Sequence, residues 1–294
     1  MGFLRKHFIA ASLLVVVAFV PRSWAEERRC CSSDVCCCVT RLRSNSWHIA
    51  ESRNFRIHHR GADDVSTKMV KLLEESRDQL RRRWLDQQDR TEWSPKCDVF
   101  LYPSAVSFRQ MTGRPAEMWG FADLEIGDGK VWLRRLDFRA DDAERLHRIA
   151  LHELAHVVLA DRFCSRRIPR WADEGIAVLS EPRERQQSLR TWLANEVSLG
   201  RQMPLRTLLS AADYPADQRQ IELMYAQSGA WLEFLLTERK HTEREVMQFV
   251  ETAQTQPASE AVRRCFPNES FEQLEGAWTT WLRAPQTAVA TNRD

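Results

Sequence analysis

The sequence predicts an α+β fold in which a small sheet drawn from residues 47–138 is followed by a mainly helical half ending near residue 284. Short runs of alternating apolar and polar residues, stopped by Gly or Pro, fill the first part and show the period of two expected of half-buried strands. From about Asp141 onward apolar residues recur at the three-and-four spacing of helices, with short breaks. No internal repeat interrupts this order, and 294 residues suffice to bury a substantial core.

Taken in order, residues 1–25 read as a secretory signal peptide: basic "MGFLRKH", the thirteen-residue apolar run "FIAASLLVVVAFV", then "PRSWA", which ends in a small-x-small cleavage pattern at Ala25. The run is short for a bilayer span and Pro21 follows it directly, so no membrane association is expected beyond the leader. The protein is therefore expected to be secreted, or to reside in the periplasm or cell envelope. Residues 26–46 form a cysteine-rich segment holding Cys30, Cys31, Cys36, Cys37 and Cys38, with Cys97, Cys164 and Cys265 further along. In an oxidising compartment an even count of eight points to disulfides, without choosing their pairing.

"WHIAESRNFRIHHRG" (47–61) has strand alternation and stops at Gly61, and a long amphipathic helix should run from about Ala62 to Leu85. "KCDVFLYPS" (96–104) reads as a buried strand stopped by Pro103, and "GFADLEIGDGKVWLRRLDF" (120–138) as a hairpin turning at Gly127-Asp128-Gly129. His58 and His59 are neighbours on a strand, so they face opposite sides and are not expected to share a metal. The tail 285–294 looks frayed. Lys plus Arg total 43 against 41 Asp plus Glu, interspersed, so no field suited to nucleic acid is present. Loss of Arg5, Lys6 and Arg22 with the leader takes the formal charge from +2 to −1.

The chemistry is concentrated in "LHELAHVVLADRFCSRRIPRWADEGIAVLSE" (151–181). In "HELAH", His152 and His156 lie one helical turn apart and project from one face, where two imidazoles can reach one ion, and Glu153 lies beside that face. Ile149, Leu154, Val157 and Val158 make the helix a buried one, and buried polar groups need partners. A catalytic zinc site needs a third protein ligand. The metzincin pattern HExxHxxGxxH is excluded, because Leu159 and Arg162 stand at its glycine and last histidine. The remaining supply is "IPRWADEGIAVLSE", with Asp173 and Glu174 on a second helix that Pro169 should start and Pro182 end.

HELAH followed by WADEGIA resembles the gluzincin zinc metallopeptidases, whose third ligand is the Glu of a W-x-x-E-G-x-A helix. Residues 47–284 as a whole resemble the peptidase-MA-like domain of exported bacterial proteins, through "NFRIHH", "LYPS", the hairpin, "IPRWADEGIA" and "YAQSGAWLEFLL". The resemblance implies a zincin-like fold, one Zn2+ per chain held by His152, His156 and Glu174, and hydrolysis of a peptide or protein substrate with Glu153 as general base. It makes Tyr225 the candidate oxyanion donor, leaves Asp173 a bystander about 100° round the helix, and implies that an extended substrate adds to the hairpin strand Val131–Leu136. Two departures stand out. Val178 occupies the place where the thermolysin-like branch carries an Asp that orients a histidine, so the orienting groups must come from elsewhere. Nothing in "MWGFADLEIGDGKVWL" matches the G-x-M-E-N motif of the aminopeptidase branch. Two other uses of the chain stay open: a catalytically inactive zincin-fold binding module, and a cell-envelope interaction protein built on its cysteine cluster.

Overall fold

The alternating runs of the first part do pair into one sheet, larger by two strands than the sequence suggests. The computed structural model describes residues 40–44, 47–61, 63–88 and 91–284. The expected leader, the Cys30–Cys38 cluster and the tail 285–294 lie outside the described residues. Six strands run in the order β1-β2-β3-β4-β6-β5. The first, β1 (Thr40–Ser44), lies within the stretch read as the cysteine-rich segment and pairs antiparallel with β2 (Trp47–Glu51). The single strand expected over 47–61 is in fact two, β2 and β3 (Phe55–His59), paired antiparallel. Ser52 N–H donates to Phe55 O at 2.9 Å and closes the chain between them.

The turn is tied to helix α1 (Asp63–Trp84) by Glu74. Its buried carboxylate accepts from Ser52 Oγ at 2.8 Å, the Asn54 amide at 2.8 Å and Asn54 Nδ2 at 2.6 Å. β3 then pairs parallel with β4 (Cys97–Tyr102), and β4 parallel with β6 (Lys130–Arg139). β5 (Gly120–Gly127) pairs antiparallel with β6 and forms the outer strand. The turn between them, Asp128-Gly129, takes positive φ at both residues (52° and 69°), the conformation of a tight type I′ hairpin. β6 therefore lies between two strands, but β4 pairs only with its second half, Arg135–Arg139, and Lys130–Arg134 are paired on the β5 side alone. Of the strand Val131–Leu136 expected to receive a substrate, Arg135 and Leu136 are paired on both sides, while the whole of β5 is outermost in the sheet.

Phe55, Ile57, Val99, Leu101, Leu136 and Phe138 alternate onto one buried face of the sheet, where α1 and α3 (Ala143–Ala160) cover it. On the opposite face the His58 ring stacks on Phe100 at 4.3 Å and bonds Asp98, while His59 is buried, so the two histidines do part as expected. A short helix, α2 (Ala105–Thr112), follows β4 and was not foreseen. It starts at the Ser104 capping box, just past Pro103.

The second half is helical throughout: α4 (Arg170–Ser180), α5 (Arg183–Ser198), α6 (Leu205–Ser210), α7 (Gln218–Thr237), α8 (Glu243–Ala253), α9 (Ala258–Cys265) and α10 (Phe271–Arg283). Prolines set several starts, with Pro169, Pro182, Pro204 and Pro257 each immediately before a helix. The decisive packing is α4 on α7. A Cβ on Gly175 would lie 2.7 Å from the Ser228 carbonyl oxygen, and one on Gly229 would lie 2.5 Å from Val178 Cγ1. Two glycines thus let the helices touch backbone to side chain at a distance no larger residue permits. Cys97, Cys164 and Cys265 form no disulfide among the described residues, so the disulfides expected from the cysteine count find no support there. No helix of the described residues is long and apolar enough to cross a membrane.

Candidate metal centre

α3 delivers both histidines. Asp142 caps it by accepting from the Arg145 amide at 3.0 Å, and the buried side chains of Leu146, Ala150, Leu154, Val157 and Val158 fix its rotation against the core. That rotation leaves His152 and His156 side by side, ring centroids 5.1 Å apart. α4 supplies Glu174, fully buried beside Gly175, where the close approach to α7 sets its depth. One nitrogen from each of His152 and His156 and one carboxylate oxygen of Glu174 lie within 4.8 Å of one another. Glu174 Oε2 is 3.5 Å from His152 Nε2 and 3.8 Å from His156 Nε2, long for strong hydrogen bonds. It is buried without a hydrogen-bond partner.

The other nitrogen of each ring is held. His152 Nδ1 lies 2.8 Å from Glu181 Oε1, and His156 Nδ1 lies 2.7 Å from Asp173 Oδ1. An ionised carboxylate only accepts, so each Nδ1 carries the proton and each Nε2 is left for the shared space. Asp173 is therefore no bystander: it orients one imidazole. The Val178 side chain packs into the space that Gly229 leaves open on α7. Glu181, at the end of α4 just before Pro182, is the carboxylate that meets His152.

The electrostatics fit a cluster assembled around positive charge. Burial opposes charging of His156, but the Asp173 and Glu174 carboxylates outweigh it and raise its pKa to about 9. His152 is likewise raised well above the ordinary histidine value, its own burial outweighed by Glu174, Glu181 and Glu153. Burial pushes Glu174 up, and the two imidazoles outweigh it and hold it at about 2. A set of two imidazoles and one ionised carboxylate, with an unpartnered buried oxygen facing two ring nitrogens, is the N/O donor chemistry that suits Zn2+.

Glu153, next on α3, reaches the sheet edge, where the Ala122 amide of β5 donates to its Oε2 at 3.0 Å. Tyr225 enters from α7, its ring 6.1 Å from that of His152. Burial pushes its phenol up, with Glu174 adding to the effect, so it stays a protonated donor at neutral pH. The structure thus brings His152, Glu153, His156, Glu174 and Tyr225 to one place, and adds three residues the sequence reading missed. Glu181 had a faint signal, an acid two helical turns beyond Glu174. Arg170 and Tyr214 had none: Tyr214 lies between α6 and α7, and its hydroxyl donates to Glu174 Oε1. Arg170 Nη1 is 3.1 Å from the Tyr214 hydroxyl, with its guanidinium 4.3 Å over the ring.

No family model matches the chain, and comparison with curated proteins finds no match.

Proposed function

We propose that the protein is an exported zinc-dependent peptidase. The observation that carries this reading is the convergence of His152, His156 and Glu174 on one space, with Glu153 beside it at the sheet edge. The gluzincin resemblance of HELAH and WADEGIA supports it, and the leader-like residues 1–25 support export.

In this reading His152 Nε2, His156 Nε2 and Glu174 Oε2 hold the ion. Zinc bound there supplies a Lewis acid that polarises a carbonyl and acidifies water. The chain's own residues do the rest. One oxygen of Glu153 is fixed by the Ala122 amide, which leaves the other to take the proton of the attacking water and return it to the departing amine. β5, as the outer strand, offers backbone groups that an extended peptide can pair with, and so suits a peptide or protein substrate. Tyr225, kept neutral, donates to the oxygen on which negative charge develops.

The test is hydrolysis of a broad peptide library by the zinc-loaded mature protein and by Glu153→Gln. The wild type should cleave, and Glu153→Gln should keep its zinc and lose about 100-fold or more of the rate. Equal zinc in both proteins with no Glu153-dependent cleavage would replace the enzyme with a zincin-fold binding module.

A further inference from the structure

We propose that Tyr214 is a positioning residue that holds Glu174 Oε1 out of coordination, so that Oε2 alone is presented to the metal. The inference rests on the metal-centre reading above and concerns how the carboxylate is used. The two oxygens of Glu174 have different surroundings: Oε1 accepts from the Tyr214 hydroxyl and lies 3.7 Å from Arg170 Nη1, while Oε2 has no hydrogen-bond partner and faces the two imidazoles. A carboxylate with one oxygen bonded by a phenol, and a guanidinium 3.7 Å from that oxygen, cannot turn both oxygens to one ion without breaking the phenol's bond. Single-oxygen ligation keeps the protein donor count at three, the number suited to a catalytic zinc.

The segment that carries Tyr214 is held onto the start of α4 at two points. Asp213 pairs with Arg167 at 3.0 Å, just before Pro169, and Arg170 both bonds the Tyr214 hydroxyl and lies over its ring. Arg170 also pairs with Asp173 at 3.2 Å, so the same guanidinium touches the residue that orients His156. Tyr225 packs at right angles against Tyr214, ring centroids 6.1 Å apart, and limits its swing from the other side. These contacts within the chain itself place the hydroxyl on Oε1, which sets a positioning role apart from the transition-state role proposed for Tyr225.

The experiment uses the full mature protein, as wild type, Tyr214→Phe and Tyr225→Phe, loaded with Zn2+ or Co2+. Tyr214→Phe removes the hydroxyl and keeps the ring over which Arg170 lies, so the fold should be retained. Its Zn2+ affinity, measured by chelator competition, should fall by about 10- to 100-fold. Its Co2+ visible absorption should weaken as Oε1 joins Oε2 on the ion, the change expected when a four-coordinate centre gains a fifth donor. Tyr225→Phe should match the wild type in both readouts. A Tyr214→Phe protein with wild-type affinity and an unchanged Co2+ spectrum overturns the inference while leaving the metal centre standing. A wild-type protein that binds neither ion overturns the metal centre, and this inference with it.

Discussion

In the proposed metal centre, single side chains would separate what holds an ion from what aims its ligands. Asp173 and Glu181 each grip the Nδ1 of one imidazole, so removing either frees a ring to rotate without deleting a ligand. Asp173→Ala and Glu181→Ala should therefore each lower Zn2+ affinity by about 10- to 100-fold, while His152→Ala, His156→Ala and Glu174→Ala abolish stoichiometric binding. Chelator competition distinguishes the two groups, and wild-type affinity in Asp173→Ala would return that residue to the bystander role the sequence suggested. The raised histidine values carry a second expectation. A folded imidazole that holds its proton more tightly than an unfolded one adds stability below the ordinary value of about 6.5. That stability is lost as pH rises through the folded value, about 9 for His156. In chelator the Tm should fall between these limits. With Zn2+ in place of the protons it should hold, so the gap between the two curves should widen with pH. Parallel curves would show that the imidazoles are not charged in the metal-free protein.

Among the elements, the depth of Glu174 depends on how closely α4 approaches α7. Gly175→Ala places a methyl 2.7 Å from the Ser228 carbonyl oxygen, and the helices must separate to admit it. We expect a cost of about 1–3 kcal/mol from overpacking, together with weaker Zn2+ binding as Glu174 is displaced. Gly276 is the control: it lies at an exposed position of α10 with nothing within 4 Å of an added Cβ, and Gly276→Ala should stabilise by about 0.5–1 kcal/mol. Thermal unfolding of the two variants should shift in opposite directions, and a neutral Gly175→Ala would show that the close approach does not set the site. The elements themselves were legible to different degrees. α1, β4, the β5–β6 hairpin and the start of α4 announce themselves through periodicity, Pro103, Asp128-Gly129 and Pro169, all local signals. The division of residues 47–61 into two strands was missed because Ser52-Arg53-Asn54 lacks Gly or Pro, and its conformation is secured by Glu74 from a distant helix.

Over the whole molecule, the sheet half and the helical half meet at the site, the first giving the β5 edge and the second Glu174 and Tyr225, with α3 between them carrying the histidines and Glu153. The spacing of HELAH made two donors readable, because i and i+4 share a helix face. Glu174 was nameable only through the resemblance of WADEGIA. Glu181 and Tyr214 were hidden by tertiary packing: the first meets His152 and the second Glu174 from positions far along the chain. The strand order, which places β5 outermost, follows from the parallel pairing of β4 with β6, and no local pattern specifies that. The most direct measurement is anomalous diffraction at the zinc edge from crystals of the mature protein grown with Zn2+. The account predicts one strong peak per chain, bonded to His152 Nε2, His156 Nε2 and Glu174 Oε2 at about 2.0–2.2 Å. A peak seated instead on Asp173 and Glu181, or none at the three donors, would contradict it.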